Sequence, residues 1–366
     1  MNKENYQSAN RNNKNKKRSE RAVLGRQKAT VQMKLALKEI DKINQSKKKA
    51  RKIGSTGIHS YNQMRHATSA SRNFIAFVHD RYGINQMQSF TINHYAAYID
   101  DMQKRALSDG HIRNVETALS QLQKGFNARQ ARLRYRQVVF IPKKRLVAYK
   151  APQVQNRSYT DEEYEQILKN ATEGARGGIE LMREMGLRVR EAANVRVEQF
   201  TKKGDSYFLE VKRGEGAGIT KGGRFRYIPV SERFTQRLEQ MLQGKDGKDP
   251  LIKMTSDSLR SAVRDACKKV GVKQNGRGTH GFRHRYARER ADQLMTDLEW
   301  KMMKRVLENM SGGKLANYSI FTDADQKVFA DMKKKMDLIH SEIGHGKNRY
   351  HLAMVYLKED NEDART

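Results

Sequence analysis

Residues Thr279 to Arg290 read THGFRHRYARER and carry two histidines and four arginines within twelve residues. The apolar Phe282 and the small Ala287 indicate that one face of this segment packs against a core. A guanidinium offers a planar fork of donors that suits phosphate, and an imidazole exchanges protons near neutral pH. The segment therefore predicts a phosphate-binding helix, although a basic surface helix with structural histidines would have the same composition. The choice depends on the rest of the chain.

The chain has 366 residues and a formal net charge of +32, which indicates two domains and a polyanionic partner. Nucleic acid is favoured over an anionic membrane. The single cysteine, Cys267, excludes an internal disulfide framework and a cysteine-based zinc finger, and its helical context predicts core packing. The sequence has neither an apolar run long enough to span a membrane nor a signal-peptide pattern, so we expect a protein of the bacterial cytoplasm or nucleoid.

Changes in composition along the chain predict four segments. Residues 1–54 form a basic arm, partly disordered, with helical spacing between Val31 and Ile43 and the basic run KKKARK at 47–52. Residues 55–136 have helical periodicity throughout, and residues 137–157 form a basic linker with two prolines. Residues 158–366 form a second, mostly helical domain. The predicted fold class is mainly α with a small antiparallel β-sheet.

Local signals place helices and strands in both domains. Thr91 and Ser108 are predicted N-caps and Gly83 a helix end, while TDEE at 160–163 has the pattern of a capping box. Residues 207–212 and 224–230 alternate as strands around a glycine-rich hairpin. Helices are predicted at 232–242 and 256–270.

Three further segments contain residues that could act with the first one on a phosphate. GLRVREAANV at 186–195 places Arg188 at a helix start and Glu191 one turn later. TKGGRFRYIPV at 220–230 places Lys221 at a tight turn. IGHGKNRYHLAMVYL at 343–357 contains a glycine–histidine pair and two tyrosines further along.

Together these motifs resemble the catalytic boxes of the tyrosine recombinases, the phage integrase family. In chain order they are G-L-R-x-x-E, K-G-x-[KR]-x-R-x-x-P, H-x-x-R-H, and G-H followed by a tyrosine. The resemblance covers residues 158–357 by motif and residues 55–130 by helical pattern only. It implies a helical core-binding domain followed by a catalytic domain.

The resemblance also implies a role for each matching residue. Arg188 and Arg283 would clamp the non-bridging oxygens of the scissile phosphate, and Glu191 would hold Arg188. His280 would accept the proton of the nucleophile, because a tyrosine hydroxyl, with a reference pKa of about 10, needs activation.

The remaining implied roles complete the reaction. Lys221 would protonate the departing 5′-oxygen, and His345 would hydrogen-bond the phosphate. Tyr356 would form a 3′-phosphotyrosyl bond that stores the energy of the broken linkage. Neither a metal nor another cofactor is therefore expected.

Several residues have alternative interpretations. The usual family spacing after His345 falls on Met354, which cannot act, so Tyr356 needs two additional residues and Tyr350 is the second candidate. Tyr356 itself could be a core residue. Lys212 or Arg224 could act in place of Lys221. Arg188 could simply form a surface ion pair with Glu191.

The histidines have structural and metal-binding alternatives. His284 is expected to be a structural neighbour of the site. A metal site built from His280, His284, His340 and His345 is a weak alternative, because the neighbouring arginines would repel a divalent cation.

Function also has competing interpretations. We expect a site-specific recombinase acting on double-stranded DNA, assembled as a homotetramer on two sites, for integration or excision of a mobile element. The alternatives are a monomeric enzyme similar to the type IB topoisomerases and a DNA-binding relative without catalysis. The long stretch between Arg283 and His345 predicts an additional helical region near 300–329, which could contact another protomer or enlarge the domain.

Overall fold

The computed structural model describes residues 28–52, 54, 57–148, 156–211 and 225–357. The chain divides into two compact units, Met1–Pro152 and Gln153–Thr366. Within the described ranges, no helix has both the length and the apolar character needed to cross a membrane.

Among the described residues of the first unit, the regular elements are helices, as predicted for residues 55–136. Its helices are α1 (Ala29–Glu39), α2 (Lys47–Lys52), α3 (Tyr61–Tyr82), α4 (Ile92–Lys104) and α5 (Asp109–Arg132), with a short 3-10 helix at Met87–Ser89. The predicted boundaries are confirmed: Ser108 caps α5 through its side chain, Thr91 forms a capping box at α4, and Gly83 ends α3 in the left-handed region at φ 67°.

Two predicted domain borders cut through this unit. In α1, Ala29, Met33 and Ala36 are fully buried in the same core as α3 to α5, so the folded unit begins well before residue 55. Phe140 and Ile141, predicted to lie in an extended linker, are also buried in that core. Residues 1–27 of the predicted arm lie outside the described residues.

The second unit is also mainly helical. Its elements are α6 (Asp161–Asn170), α7 (Glu173–Glu184), α8 (Val189–Ala192), a 3-10 helix (Val197–Gln199), β1 (Phe200–Lys203), β2 (Ser206–Val211), β3 (Arg226–Pro229), α9 (Glu232–Leu242), α10 (Ser256–Lys269), α11 (His280–Leu294), α12 (Asp297–Ser311), a 3-10 helix (Ala316–Ser319), α13 (Asp323–Glu342) and α14 (Tyr350–Leu357). The capping box at Thr160 and both predicted central helices are confirmed.

The small sheet is antiparallel with the strand order β1-β2-β3. The fold class predicted from the sequence is therefore confirmed, although β1 was not predicted. Val211 pairs with Arg226 and Leu209 with Ile228, so the side chains of Arg226 and Ile228 share the buried face of β3. An arginine thus occupies a position at which alternation would favour an apolar residue.

The additional helical region predicted near residues 300–329 belongs to the core of the second unit. Met302 and Val306 of α12 and Met332 and Met336 of α13 are all nearly or fully buried. They join the same apolar cluster as Phe282 and Ala287 of α11, whose predicted burial is confirmed. Cys267 is buried in this core as well, as predicted.

Candidate active site

The buried side chain of Arg283 connects three parts of the second unit. Its guanidinium is fully buried in the first turns of α11. Nη1 donates to the carbonyl of Gly186 at 2.5 Å, and Nη2 donates to the carbonyl of Ile343. Burial lowers its pKa to about 10, which still leaves the group charged at neutral pH. Arg283 therefore fixes a positive charge where the loop before α8 meets the end of α13.

Glu191 holds two further arginines beside this charge. Its Oε1 accepts from Arg188 Nη1 at 3.1 Å, and its Oε2 accepts from Arg226 Nη2 at 2.7 Å. Arg283 Nη1 lies 4.0 Å from the same Oε2. Burial opposes ionisation of Glu191, but the three guanidinium charges outweigh it and lower the pKa of the carboxyl. One carboxylate thus balances three arginines, which leaves a net positive charge in the site.

Two glycines allow side chains of the cluster to pack closely against the backbone. Gly186 has φ +58°, and a Cβ there would lie 2.5 Å from the ring of Tyr286. Gly344 has φ +70°, and a Cβ there would lie 2.5 Å from Arg226 Nη1 and 3.4 Å from Arg188 Nη1. A side chain at either position would combine an unfavourable left-handed backbone with a clash. The G-L-R and G-H motifs therefore contain glycine for a steric reason.

His345 follows Gly344 and lies against the arginine cluster. Its Nε2 is 3.4 Å from Arg283 Nη2, and its ring is 5.3 Å from that of Tyr356. Burial, together with the charges of Arg283 and Arg188, lowers its pKa to about 2. The imidazole is therefore neutral at physiological pH, so it offers one N–H donor and one acceptor.

Tyr356 completes the cluster from the same chain. The tyrosine is 8% exposed on α14 and stacks on His284, with ring centroids 4.3 Å apart and an interplanar angle of 22°. The Arg283 guanidinium lies 5.9 Å from the Tyr356 ring centroid. Tyr350, the second candidate nucleophile, instead stacks on Phe329 at 6.2 Å. Of the two tyrosines, the structure brings Tyr356 to the arginines.

Of two other predicted site residues, His280 and Lys221, only His280 lies within the described residues. His280 is exposed at the start of α11, and its pKa is lowered first by partial desolvation and then by the charges of Arg283 and Arg188. A neutral imidazole suits the predicted role of proton acceptor. Lys221 lies outside the described residues, and its role stays a prediction.

Two residues of the cluster were missed or underestimated from the sequence. Arg226 was given no role, although its place on the inward face of β3 is a signal that strand alternation could have revealed. His284 was expected only near the site, yet its ring is the stacking platform for Tyr356. Burial lowers the pKa of His284 to about 3, so this platform is uncharged.

The outer arginines of α11 pair with carboxylates of the second unit. Arg290 binds the buried carboxylate of Glu342, which also accepts from Tyr286 at 2.9 Å. Arg285 pairs with Asp161. These ion pairs join α11 to neighbouring parts of the unit. The pair with Glu342 also compensates for the burial of that carboxylate, which would be unfavourable without a charged partner.

The buried histidines make the stability of the second unit sensitive to acid. Burial lowers the pKa of His284 to about 3 and that of His340 to about 4. The unfolded chain binds protons below about pH 6.5, whereas the folded chain resists protonation. The contribution of these histidines to the free energy of unfolding is therefore fully present above pH 6.5. It decreases as the pH falls below that value, with a slope approaching about 1.4 kcal/mol per pH unit for each histidine.

Urea unfolding at pH 7, 6 and 5 measures this slope. We expect a continuous loss of stability from pH 7 to pH 5 and a shallower dependence for the His340→Leu variant, in which one of the two buried groups is removed. Equal unfolding free energies at pH 7 and pH 5 would contradict the expectation. So would an unchanged slope in the folded variant.

Comparisons with known proteins show what the second unit and the fold are similar to. Residues 157–296 match the phage integrase family. The structure is similar to that of the XerH site-specific recombinase bound to difH substrate, with a TM-score of 0.55, 14% identity, and coverage of 91% of this chain and 92% of that one. A comparison with curated protein sequences found no match.

Two other solved structures are similar at lower scores. A lambda integrase dimer bound to a COC′ core site gives a TM-score of 0.49 at 15% identity, covering 80% of this chain and 75% of that one. The Tn1549 transposon integrase in complex with circular intermediate DNA gives 0.49 at 13% identity, covering 90% and 97%. The family match over residues 157–296 and the fold shared with XerH confirm the resemblance inferred from the motifs: the second unit carries a phage integrase domain.

Proposed function

We propose that this chain is a site-specific DNA recombinase that cuts and rejoins DNA strands through a covalent 3′-phosphotyrosyl bond to Tyr356. One observation carries the proposal. Tyr356 lies against Arg283 and His345, while Arg188 is held by the same carboxylate that faces Arg283. A tyrosine, two arginines and a neutral histidine in one partly enclosed cluster suit attack on a phosphodiester.

The proposed reaction begins with the oxygen of Tyr356 attacking the scissile phosphorus. The phenolic proton passes to His280, whose lowered pKa keeps it neutral and able to accept. A bond forms between the tyrosine oxygen and phosphorus, and the bond from phosphorus to the 5′-oxygen breaks. Lys221 gives that leaving oxygen its proton. Because the phosphate remains esterified, a 5′-hydroxyl from another strand can reverse the step without ATP.

The arginines would stabilise the charge that develops on the non-bridging oxygens. Arg188 is 20% exposed at its side chain and can present donors to DNA, whereas Arg283 supplies a charge fixed by two backbone carbonyls. Fixed donors are effective because they need not reorganise as the charge develops. His345 would add one hydrogen bond to the phosphate.

The remaining parts of the proposal concern partners and location. The net charge of +32 supports binding to double-stranded DNA, because phosphate neutralisation by Lys and Arg dominates such affinity. XerH was solved bound to its DNA substrate, and the same mode of binding is proposed here. Strand exchange between two sites would need four active subunits, which gives a homotetramer on DNA in the bacterial cytoplasm.

A nicked suicide substrate of double-stranded DNA that carries the target site tests the proposal. Cleavage next to a nick releases a short oligonucleotide, so the covalent adduct accumulates and can be counted after denaturation. We expect an adduct in EDTA, since the mechanism uses no metal. Absence of an adduct would overturn the proposal in favour of a non-catalytic relative.

A second assay separates recombination from simple relaxation of DNA. Two differently labelled substrates that carry the same site are incubated together, and the strands are analysed for exchange. Exchanged strands support a recombinase. An enzyme that relaxes supercoils and forms the adduct, but never exchanges strands, would instead act like a type IB topoisomerase.

A further inference from the structure

The Arg226 side chain is buried in the candidate active site and is much less exposed than that of Arg188. It is 3% exposed as a residue and 1% at its side chain, compared with 20% for the side chain of Arg188. Its Nε is buried with no hydrogen-bond partner among the described residues. Burying an arginine in this way is costly unless a charged partner compensates for it. That partner is Glu191, at 2.7 Å.

The two oxygens of Glu191 are shared unequally among their donors. Oε1 accepts from Arg188 Nη1 at 3.1 Å, whereas Oε2 accepts from the Arg188 backbone N–H at 2.8 Å and from Arg226 at 2.7 Å. Arg283 Nη1 is 4.0 Å from Oε2, beyond hydrogen-bond distance, and donates to the Gly186 carbonyl instead. Arg226 is thus the charged group that occupies Oε2 and keeps it from pairing with Arg283.

Without Arg226, the nearest guanidinium to Oε2 that does not already bind Glu191 would be that of Arg283. A buried carboxylate that loses its strongest charged partner moves toward the next available one, because unpaired buried charge is unfavourable. Such a shift would draw Nη1 of Arg283 away from Gly186 and direct it at Glu191. The bond that fixes the charge of Arg283 in the candidate active site would then be lost.

Arg226 also contacts the loop that carries His345. A Cβ on Gly344 would lie 2.5 Å from Arg226 Nη1, so the guanidinium packs directly against this backbone. His345 is the next residue, and its Nε2 lies 3.4 Å from Arg283. One side chain therefore borders both the carboxylate and the loop that surround Arg283.

We propose that Arg226 is a positioning residue for strand cleavage, which holds Glu191 and the Gly344 backbone so that Arg188 keeps its donors for the scissile phosphate and Arg283 keeps its charge fixed between Gly186 and Ile343. The inference rests on the proposed function, because it assigns a role within that reaction. Arg226 would act through the other two arginines and would not touch the DNA.

Single-turnover cleavage of a suicide substrate at saturating DNA tests this role. The variants are Arg226→Met, which keeps the length of the side chain without its charge, and Arg226→Lys, which keeps the charge with fewer donors. Arg233→Met is the matched control, because it removes another arginine that pairs with glutamates, Glu184 and Glu289, in the same unit. Thermal unfolding and DNA affinity are measured for each protein.

We expect Arg226→Met to cleave about 10–100-fold more slowly than the parent chain, the usual effect of losing a residue that orients active-site groups. Its DNA affinity should change by about threefold or less, because few of the phosphate contacts are affected. Arg226→Lys should recover part of the rate, and Arg233→Met should cleave at the parental rate.

A second substrate distinguishes positioning from a general loss of structure. Replacing one non-bridging oxygen of the scissile phosphate by a methyl group removes the negative charge that the arginines stabilise. On this methylphosphonate, the loss of cleavage rate caused by Arg226→Met should shrink to about threefold or less. Less negative charge develops on this phosphorus centre, so misplaced arginine donors matter less. A merely unfolded fraction would lower both rates equally.

Each result has a defined meaning. Equal losses on the two substrates, or a parental rate for folded Arg226→Met, would overturn the positioning role while leaving the recombinase proposal intact. A parent chain that forms no adduct with the phosphodiester would overturn the proposed function, and this inference with it.

Discussion

The Tyr356→Phe variant is expected to form no covalent adduct with a suicide substrate, while it continues to bind DNA. Removing a nucleophile costs a reaction of this kind at least about 10⁴-fold, because the remaining groups cannot substitute for the attacking atom. The ring itself should stay in place, since its stacking on His284 at 4.3 Å does not involve the hydroxyl. The measurement is the denaturation-resistant protein–DNA band, with DNA affinity measured in parallel.

Tyr350→Phe is the matched control for this prediction. Tyr350 lies on the same helix but stacks on Phe329, so its variant should form the adduct at close to the parental rate. An adduct that persists in Tyr356→Phe and disappears in Tyr350→Phe would reverse the assignment of the nucleophile. An adduct in both single variants would mean that neither tyrosine is required on its own.

The choice between these tyrosines shows what the sequence could and could not predict. The G-H motif placed the nucleophile in the last described helix, but the usual family spacing fell on Met354. Helical periodicity alone puts Ala353, Tyr356 and Leu357 on one buried face, and they are all buried in the structure. What periodicity could not show was which neighbour that face meets, because His284 lies more than seventy residues away in sequence.

Long-range packing also explains two features that the sequence did not reveal. The border predicted at residue 54 followed a change in composition, whereas α1 belongs to the first unit because Gly125 of α5 lets it approach closely. A Cβ on Gly125 would clash with the backbone of Ala36, so that glycine marks a helix contact invisible from either segment alone. Arg226 was overlooked for a similar reason: its significance depends on Glu191, which precedes it by 35 residues. The caps, helices and motif order were predictable because each depends on neighbouring residues.

The Arg283→Met variant is expected to lose both activity and stability. A fixed donor to the charge that develops on a reacting group contributes about 10²–10³-fold to the rate, so cleavage should fall by at least that factor. The variant also deprives the carbonyls of Gly186 and Ile343 of their donor, and each unsatisfied buried group costs about 1–3 kcal/mol. Part of this loss is offset, because the desolvated guanidinium is no longer buried.

Arg285→Met is the matched control for Arg283→Met. It tests whether the loss of any arginine on α11 has the same effect as the loss of Arg283. Arg285 lies two residues further along and pairs with Asp161, whose side chain is 54% exposed, so the pair should contribute less than about 1 kcal/mol. Its cleavage rate at saturating DNA should match that of the parent chain. If Arg283→Met folds and cleaves as fast as Arg285→Met, the guanidinium serves only to join Gly186 to Ile343. If it unfolds, Arg283→Lys retains the charge but cannot reach both carbonyls, and a folded Arg283→Lys protein that cleaves slowly would show that a positive charge alone at this position does not support cleavage.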